Sequence, residues 1–413
     1  MRIRVKAFGC KLNQAEAGFI QSGLANIGHE ICKNPPYDLI IVCGCTVTRR
    51  ADYKVRQFIR RMKRKHNVTR IFLSGCSAVS FEEKIIRELG IEKCFLKNDP
   101  NSIVEYIGPA RTNQGDFMTT FSGRTRGMVK IQDGCNQFCS YCIVPYVRGR
   151  EVSVPPQTIL NRIRQLEKAG VREAVLTGVH DGRYNYDGLD LAGLCDLILM
   201  ETGIPRIRLS SVEATRISDK LIRIITENSR MMKHLHVPLQ SGCDSVLQRM
   251  KRHYTARNYL DKVNALAASI EDIAIGADVI VGFPGESDDE FTQTKKTIES
   301  APLAYLHVFR YSMRPGTEAA EMADQVPEED KRCRMEILQE IDSLKREKFA
   351  NSQIGKARSV LIEKYKGKIA KGWTDNYLRV EFVSPYDIEN KIVLVKPIDY
   401  KKNVLHCELE HLA

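Results

Sequence analysis

Residues 128–142 read MVKIQDGCNQFCSYC, a short apolar run that leads directly into three cysteines. The run predicts a buried strand, and Cys135, Cys139 and Cys142 follow it in the spacing CxxxCxxC. Three thiolates so close together in one loop can hold a single iron–sulfur cluster. On a four-iron cluster they would leave one iron open for a substrate or a cofactor.

This cysteine array has two other interpretations. A zinc site requires a fourth ligand, but no His or Cys follows at the spacing of a zinc finger. Unligated structural cysteines are the second alternative. Tyr141, which directly precedes the last cysteine, is expected either to stack on a bound aromatic group or to pack in the core.

The region around the array, about residues 120–325, contains six apolar runs with helical patterns between them. The strand candidates are MVKIQ, EAVLTG, RIRLSS, HLHVPL, GADVIVG and YLHVFRY. In one helical segment Ile159, Ile163 and Leu166 share a face, and Gly170 ends the pattern. Six β/α units of this length predict an open, partial (β/α)6 barrel rather than a closed eight-stranded one.

The first region, residues 1 to about 115, predicts a smaller α/β domain with three layers and a parallel sheet. Three of its apolar strands end in Gly-Cys, namely AFGC at Cys10, VCGC at Cys45 and LSGC at Cys76. The carboxyl ends of parallel strands meet at one edge of the sheet, so the three thiolates are expected to converge there. The alternative is three buried cysteines that coincide by chance.

The last region combines a charged helix with a small β domain. Pro327 stands at a predicted helix start, and the inward positions of residues 327–350 are Ile337, Leu338, Ile341 and Leu344. From about residue 350 onward, β-forming residues alternate with Gly and Asn/Asp turns, as in a small β-barrel.

Composition narrows the class of protein. Lys and Arg exceed Asp and Glu by 63 to 51, a net charge of +12 that fits an anionic partner such as nucleic acid or simply a basic surface. The N-terminus lacks a signal-peptide pattern and the apolar runs are too short to span a bilayer, so we expect a cytoplasmic protein without membrane contact. Thirteen cysteines in a reducing compartment favour metal ligation over disulfides.

Basic segments extend the nucleic-acid hypothesis. Residues 49–66 (RRADYKVRQFIRRMKRKH) carry nine Lys/Arg up to Lys65 and one acid, directly after the Cys45 loop. Such a helix would supply salt-dependent phosphate affinity beside that cysteine, or would only be a solvated face. Residues 249–257 (RMKRHYTAR) and the aromatic residues Tyr365, Trp373 and Tyr377 are further candidates for RNA contact, and Trp373 may equally lie in the core.

Together these features resemble the radical S-adenosylmethionine (SAM) enzymes, and within them the methylthiotransferases. The resemblance rests on both cysteine triads and on stretches spread over nearly the whole chain, including GCKLNQ, LTGVHDGRY, LHVPLQSG, DVIVGFPGE and YSMRPGT. It is strongest to the branch that modifies N6-threonylcarbamoyladenosine at position 37 of tRNA. It implies an N-terminal cluster domain (1–115), a radical-SAM domain (120–348) and a C-terminal RNA-binding TRAM domain of OB-like form (350–413).

The resemblance implies two 4Fe-4S clusters and S-adenosylmethionine. Cys135, Cys139 and Cys142 would hold the cluster that binds and reductively cleaves S-adenosylmethionine. Cys10, Cys45 and Cys76 would hold an auxiliary cluster that carries the sulfur to C2 of the adenine. The six cysteines are thus the expected catalytic and metal-binding residues, with the substrate base between the two clusters, at the interface of the domains.

The same resemblance implies the cofactor pocket at strand ends, where barrel enzymes bind ligands. Besides Tyr141, its expected residues are Thr177, Gly178, Glu213, Gln240, Asp278 and Val279. Two of them have structural alternatives, which are an ion pair with Arg216 for Glu213 and the capping of a turn for Gln240. His234 and His236 are interpreted as packed barrel residues.

The implied partners are the tRNA anticodon stem-loop and an electron donor such as flavodoxin or ferredoxin, with the protein acting as a monomer. Alternative substrates are N6-isopentenyladenosine-37 tRNA and a ribosomal-protein aspartate. An alternative of another class is a non-catalytic RNA-binding iron–sulfur protein, which would have no need of open irons. Cys43 stands where the family commonly has Asn, and strand alternation predicts that it lies in the buried sheet.

Overall fold

The computed structural model describes residues 1–66, 70–96, 99–108 and 125–412. The predicted boundaries at residues 115 and 120 lie outside these residues, and the domain limits therefore stay a prediction. In the described part of the chain, no helix is both long enough and apolar enough to cross a bilayer.

The N-terminal region contains a parallel sheet of five strands in the order β2-β1-β3-β4-β5. Its strands are β1 (Arg2–Ala7), β2 (Glu30–Ile31), β3 (Leu39–Gly44), β4 (Ile71–Gly75) and β5 (Lys93–Cys94). Its helices are α1 (Lys11–Asn26), α2 (Arg49–His66), α3 (Cys76–Ser80), α4 (Glu83–Glu88) and α5 (Pro100–Ile107).

Helices cover both faces of this sheet because the strands are apolar on both sides. On one face α1 and α5 pack against Leu39 and Ile41, and on the other face α2 packs against Ile40 and Val42. The three-layer α/β domain with a parallel sheet is thus confirmed.

The central region is built on six consecutive parallel strands in two hydrogen-bonded groups, β6-β9-β12 and β13-β14-β15. Bridges such as Ser211 to His236 connect the groups. The wall strands are β6 (Arg126–Lys130), β9 (Glu173–Thr177), β12 (Arg206–Leu209), β13 (His234–His236), β14 (Ala274–Val281) and β15 (Tyr305–Arg310), and the short strands are β7 (Gln132–Asp133), β8 (Val152–Ser153), β10 (Asn185–Tyr186) and β11 (Leu189–Asp190).

Helices pack around the outside of this wall. They are α6 (Val144–Arg148), α7 (Pro156–Lys168), α8 (Leu191–Glu201), α9 (Asp219–Glu227), α10 (Asp244–Arg249), α11 (Ala256–Ser269), α12 (Asp288–Ser300), α13 (Glu318–Glu321) and α14 (Glu328–Asn351). A capping box between Ser287 and Glu290 begins α12. The predicted partial (β/α)6 barrel is confirmed, since six strands and their helices follow one another without an eight-stranded closure.

One detail of α14 differs from the sequence prediction. Leu338 and Ile341 are buried, but Leu344 is 66% exposed. At about 100° per residue, Leu344 lies roughly a third of a turn away from Leu338, so it leaves the stripe that faces β15. The buried stripe continues to Ala350 instead.

The C-terminal region is a closed five-stranded barrel, β16-β17-β18-β20-β19, as predicted. Its strands are β16 (Arg358–Lys366), β17 (Ile369–Thr374), β18 (Arg379–Val383), β19 (Ile392–Lys401) and β20 (Val404–Leu412). The turn between β17 and β18 contacts the central barrel, because Arg208 donates hydrogen bonds to the backbone oxygens of Thr374 and Asp375, both at 3.1 Å.

Candidate active site

The three N-terminal cysteines follow neighbouring strands of one sheet. Pairing of β1 with β3 and of β3 with β4 aligns Gly44 with Gly75, so that Cys45 and Cys76 leave the sheet side by side. Gly9 has a φ of +88°, and a Cβ there would lie 2.6 Å from Cys45 Sγ. Only glycine therefore lets the Cys10 loop approach Cys45 this closely.

The surroundings of this triad fit an iron–sulfur cluster. Burial, together with the neighbouring Cys10 and Cys76, raises the pKa of the Cys45 thiol to about 12. Burial also raises the pKa of Cys76, although Arg148 Nε donates to its Sγ at 3.2 Å. Thiolates in such a place need nearby cations, and three free sulfur ligands are the donor set of a cluster with one open iron.

Cys43 is separate from this triad. It is 1% exposed, pairs with Ala7 within the sheet, and packs in the core on the α1 side. The prediction that it lies in the buried sheet is confirmed.

The second triad lies in the loop after β6 and β7. Cys135 and Cys139 are buried and Cys142 is partly buried. Gly134 begins the loop with a φ of +66°, where a Cβ would lie 1.9 Å from the backbone oxygen of Arg150. Burial raises the pKa of Cys142 to about 12, with contributions from the other two thiols. These free thiols also fit a four-iron cluster with one open iron.

A polar network lies beside this loop and centres on Glu213. Its carboxylate accepts hydrogen bonds from Gln137 at 2.6 Å and from Arg252, and lies 2.8 Å from His180 Nε2. Burial opposes ionisation of Glu213, but the bonds and charges of His180 and Arg252 lower its pKa to about 2. Glu213 is therefore a charged residue facing the cysteine loop. In the described part of the chain its carboxylate forms ion pairs with His180 and Arg252 and not with the predicted alternative partner Arg216, whose backbone N–H donates to the backbone oxygen of Glu213 at 2.8 Å.

Arg252 belongs to the same network. Its guanidinium lies 3.3 Å from Cys139 Sγ and donates to Gln137 at 3.2 Å. It is therefore turned toward the cysteine loop, whereas sequence reasoning grouped it with phosphate-binding residues. Arg249, from the same basic segment, pairs with Glu290 at 2.7 Å.

Of the remaining predicted pocket residues, Thr177, Gly178 and Gln240 lie at or beyond strand ends. Asp278 and Val279 lie within β14, because this strand continues to Val281. Thr177 is 2% exposed at the end of β9, and Gly178 is so close to Gln132 and Asp181 that a Cβ would lie 2.9 Å from both side chains. Gln240 has a φ of +65° and extends the sheet, since its backbone N–H donates to the backbone oxygen of Asp278 at 2.8 Å.

Val279 and Tyr141 have mainly packing contacts in the described residues. Val279 is buried among the apolar side chains between wall and helices, and its backbone forms a bridge with Gln240. Tyr141 packs against the apolar cluster that contains Phe283 and Tyr311, and burial raises its pKa. The packing alternative for the Tyr141 ring has direct support.

Asp278 contacts His236, one of the two histidines that sequence reasoning assigned to barrel packing, and also His307. Its Oδ1 lies 2.9 Å from His236 Nε2 and 3.3 Å from His307 Nδ1, a group with the composition of a metal site. Although burial favours the neutral form, the two histidines lower the pKa of Asp278. His234 lies 2.9 Å from the Tyr305 hydroxyl. His234 is packed as predicted, whereas His236 also belongs to the polar interior of the barrel.

The barrel interior is polar because strand residues alternate between two sides. Ala174, Leu176, Ile207 and Leu209 pack toward the helices, and Glu173, Arg206 and Arg208 take the other side. Glu173 forms ion pairs with both arginines, and its carboxylate oxygens lie 3.2 Å from Arg206 Nε and 2.8 Å from Arg208 Nε. Burial opposes its ionisation, but the arginines lower its pKa to about 2.

The N-terminal and central regions are joined by a buried ion network that sequence reasoning missed. Arg148 is 2% exposed and lies 3.0 Å from both Glu16 of α1 and Asp133 of β7. It also donates to Asn13 at 2.5 Å. Lys130 forms ion pairs with the same two carboxylates. Arg148 therefore connects a residue of each domain to the Cys76 thiol.

A cleft opens between the two regions beside Cys10 and Cys45. Its volume is 680 Å³, and its lining includes Gly9, Thr48, Arg50, Lys54 and Arg310. Basic residues of α2 thus border a space that extends to Gly9, the residue before Cys10.

Two family models match the chain. The radical SAM superfamily model matches residues 129–298, and the model of uncharacterized protein family UPF0004 matches residues 2–96. Each match contains one cysteine triad.

Curated relatives match nearly end to end. The threonylcarbamoyladenosine tRNA methylthiotransferase MtaB of Bacillus subtilis is 34% identical over 94% of this chain and 92% of its own length. The tRNA-2-methylthio-N(6)-dimethylallyladenosine synthase of Endomicrobium trichonymphae is 31% identical over 92% of this chain and 93% of its own. Among solved structures, the radical S-adenosylmethionine methyltransferase TsrM of Kitasatospora setae has a TM-score of 0.58 at 12% identity, covering 78% of this chain and 75% of that chain, a likeness of fold alone.

Proposed function

The chain belongs to the radical SAM tRNA methylthiotransferases, and we propose that it transfers a methylthio group to C2 of N6-threonylcarbamoyladenosine at position 37 of tRNA. Enzymes of this family use S-adenosylmethionine and two four-iron clusters. When bound, these cofactors supply one-electron chemistry and sulfur for an unactivated C–H bond, which acid–base groups at neutral pH cannot attack.

The two cysteine triads would hold clusters with different roles. Cys135, Cys139 and Cys142 would hold the cluster that binds S-adenosylmethionine, and Cys10, Cys45 and Cys76 would hold the cluster that carries sulfur. The free state of all six thiols supports this division, as does their placement in one loop of the central barrel and at three neighbouring strand ends of the N-terminal sheet.

Residues around Cys135, Cys139 and Cys142 would orient S-adenosylmethionine. Glu213 is ionised and rigidly held by His180 and Arg252, so it can accept hydrogen bonds from a cationic amino group. The other residues that would complete the pocket are Thr177, Gly178, Gln240, Asp278 and Val279. Asp278, held by two histidines, is the strongest acceptor among them for hydroxyl groups.

Basic residues would guide the tRNA. Arg50 and Lys54 of α2 and Arg310 of β15 line the cleft beside Cys10 and Cys45. They can neutralise backbone phosphates of the anticodon stem-loop while the base at position 37 turns into the cleft. An electron donor such as flavodoxin or ferredoxin, a monomeric state and a cytoplasmic location are part of this proposal.

The charged interior of the barrel is the observation that supports N6-threonylcarbamoyladenosine as the substrate. Arg206, Arg208 and Glu173 are buried there, and Lys11 reaches it from α1. A threonylcarbamoyl group has a carboxylate, a hydroxyl and a urea that can use such surroundings. An isopentenyl group is apolar and would leave the Lys11 ammonium without an anionic partner, at a cost of about 1–3 kcal/mol.

This proposal is tested by a comparison of tRNA nucleosides from two strains. One strain lacks the gene, and the other is the same strain after the gene has been returned to it. Restoration of 2-methylthio-N6-threonylcarbamoyladenosine, measured by mass spectrometry, is expected with the intact gene and not with Cys45→Ala. Restoration of 2-methylthio-N6-isopentenyladenosine instead would assign the protein to the other tRNA branch, to which curated relatives at 31% identity also belong by name.

A further inference from the structure

Lys11 is a cation in the barrel interior that forms no ion pair with any described residue. It follows Cys10 directly and begins α1, which packs beside β6 and β9. Its Nζ lies 5.9 Å from the centre of the Tyr377 ring, on which the Arg208 guanidinium also lies, at 5.1 Å. Among the described residues Lys11 has neither an ion pair nor a hydrogen bond.

The charges near Lys11 leave an excess of positive charge. Arg206 and Arg208 share the single carboxylate of Glu173, and Arg126 pairs with Glu363 at 2.8 Å. Asp181 is the other carboxyl group whose charge acts on Lys11, but it accepts its bonds from the backbone N–H groups of Ser210 and Ser211. Since a buried cation without a partner is costly, this arrangement points to an anionic ligand that is bound during function.

The C-terminal barrel supplies the aromatic residues that lie next to Lys11 in the interior of the central barrel. Tyr377 has a φ of +68° in the turn after β17, and its ring stacks on Trp373 at 4.7 Å and lies 4.2 Å from the His234 ring. The turn is fixed by hydrogen bonds from Arg208. An aromatic ring with a cation above it is a surface on which a planar urea can lie.

We infer that the Lys11 ammonium binds the carboxylate of the threonylcarbamoyl group, with the Tyr377 ring beneath it, and thereby selects the substrate. Lys11 directly follows Cys10, so the lysine backbone adjoins a proposed ligand of the sulfur-carrying cluster. C2 and C6 of adenine flank the ring nitrogen N1 and N6 is attached to C6, so a base whose C2 faces that cluster holds its N6 substituent nearby. This inference rests on the proposed function.

The test measures binding rather than turnover. Anticodon stem-loops carrying N6-threonylcarbamoyladenosine, or the same nucleoside with its carboxylate converted to a carboxamide, are titrated into the anaerobically reconstituted protein. We expect the acid to bind about 10- to 100-fold more tightly than the amide, as for a charge-assisted hydrogen bond in a site shielded from water. Lys11→Met should bind both RNAs equally.

Controls separate this role from others. Lys33→Met removes the same charge from an exposed position of the same domain and should keep the preference for the acid. Iron content and S-adenosylmethionine affinity of Lys11→Met should equal those of the wild type, because S-adenosylmethionine also has a carboxylate. A loss of S-adenosylmethionine affinity in Lys11→Met would assign the lysine to that cofactor and overturn the inference.

Two outcomes for the RNA also contradict the inference. Equal binding of the acid and the amide by the wild type would show that no cation binds the carboxylate. If Lys11→Met still prefers the acid to the same extent, a cation other than Lys11 binds it. Failure of the proposed function is a different result. In that case the wild-type protein does not convert tRNA that carries N6-threonylcarbamoyladenosine, and this outcome does not depend on which residue stands at position 11.

Discussion

Arg148 is expected to be a main determinant of the contact between the N-terminal and central regions. The change Arg148→Met removes a guanidinium that is 2% exposed and leaves Glu16, 5% exposed, with Lys130 as its remaining cation. Breaking a buried ion pair costs about 3–5 kcal/mol, and the lower end applies here because Lys130 still contacts both Glu16 and Asp133.

The magnitude can be measured as a shift in melting temperature. For a cooperative unit of 150–250 residues, 1 kcal/mol corresponds to roughly 2–4 °C, so about 3 kcal/mol corresponds to roughly 6–12 °C. Differential scanning calorimetry of the reconstituted protein gives this value. Iron content should also fall, because Arg148 donates to Cys76 at 3.2 Å.

A matched control uses the exposed pair of Arg164 and Glu201, whose side chains are 38% and 47% exposed. Arg164→Met should cost less than about 1 kcal/mol, since water screens exposed pairs. If Arg148→Met lowers the melting temperature no more than Arg164→Met, the network is not what holds the two regions together.

Three further predictions concern the cysteines, the barrel interior and the cleft. Cys43→Asn should keep about eight irons per chain, whereas Cys45→Ala should keep about four, and an equal iron loss in both would show that Cys43 is a ligand. Glu173 has its pKa lowered to about 2 in the folded protein, so its stabilising effect is full above the unfolded value of about 4.3 and disappears as pH falls toward 2. The difference in melting temperature between wild type and Glu173→Gln should therefore shrink below about pH 4.5, and a constant difference would contradict this charge state. Arg50→Gln should weaken binding of all tRNAs similarly and reduce the slope of log affinity against log salt by about one, while an unchanged slope would exclude a phosphate contact.

The features that were predictable from sequence depend on local order. Each of Cys10, Cys45 and Cys76 follows an apolar strand and a glycine, so the rule for parallel sheets was enough to bring them together. The six strands of the central barrel were visible for the same reason, as separate apolar runs with helices between them.

The residues that sequence reasoning missed depend on contacts between distant segments. Arg148 and Glu16 are 132 positions apart, and nothing near either residue indicates the other. In the sequence Lys11 is an ordinary residue at the start of a helix, and only the structure shows that Tyr377 of the C-terminal barrel lies next to it. A signal was available only for His180, which follows the strand-end residues Thr177 and Gly178 within the stretch LTGVHDGRY.

Direct conversion of defined RNA tests the central claim. The reconstituted protein, with S-adenosylmethionine and a reductant, is given an equal mixture of two anticodon stem-loops that differ only in carrying N6-threonylcarbamoyladenosine or N6-isopentenyladenosine. Mass spectrometry should find the methylthio group on the threonylcarbamoyl nucleoside and its loss with Cys45→Ala. A methylthio group on the isopentenyl nucleoside alone, or on neither, would contradict the account.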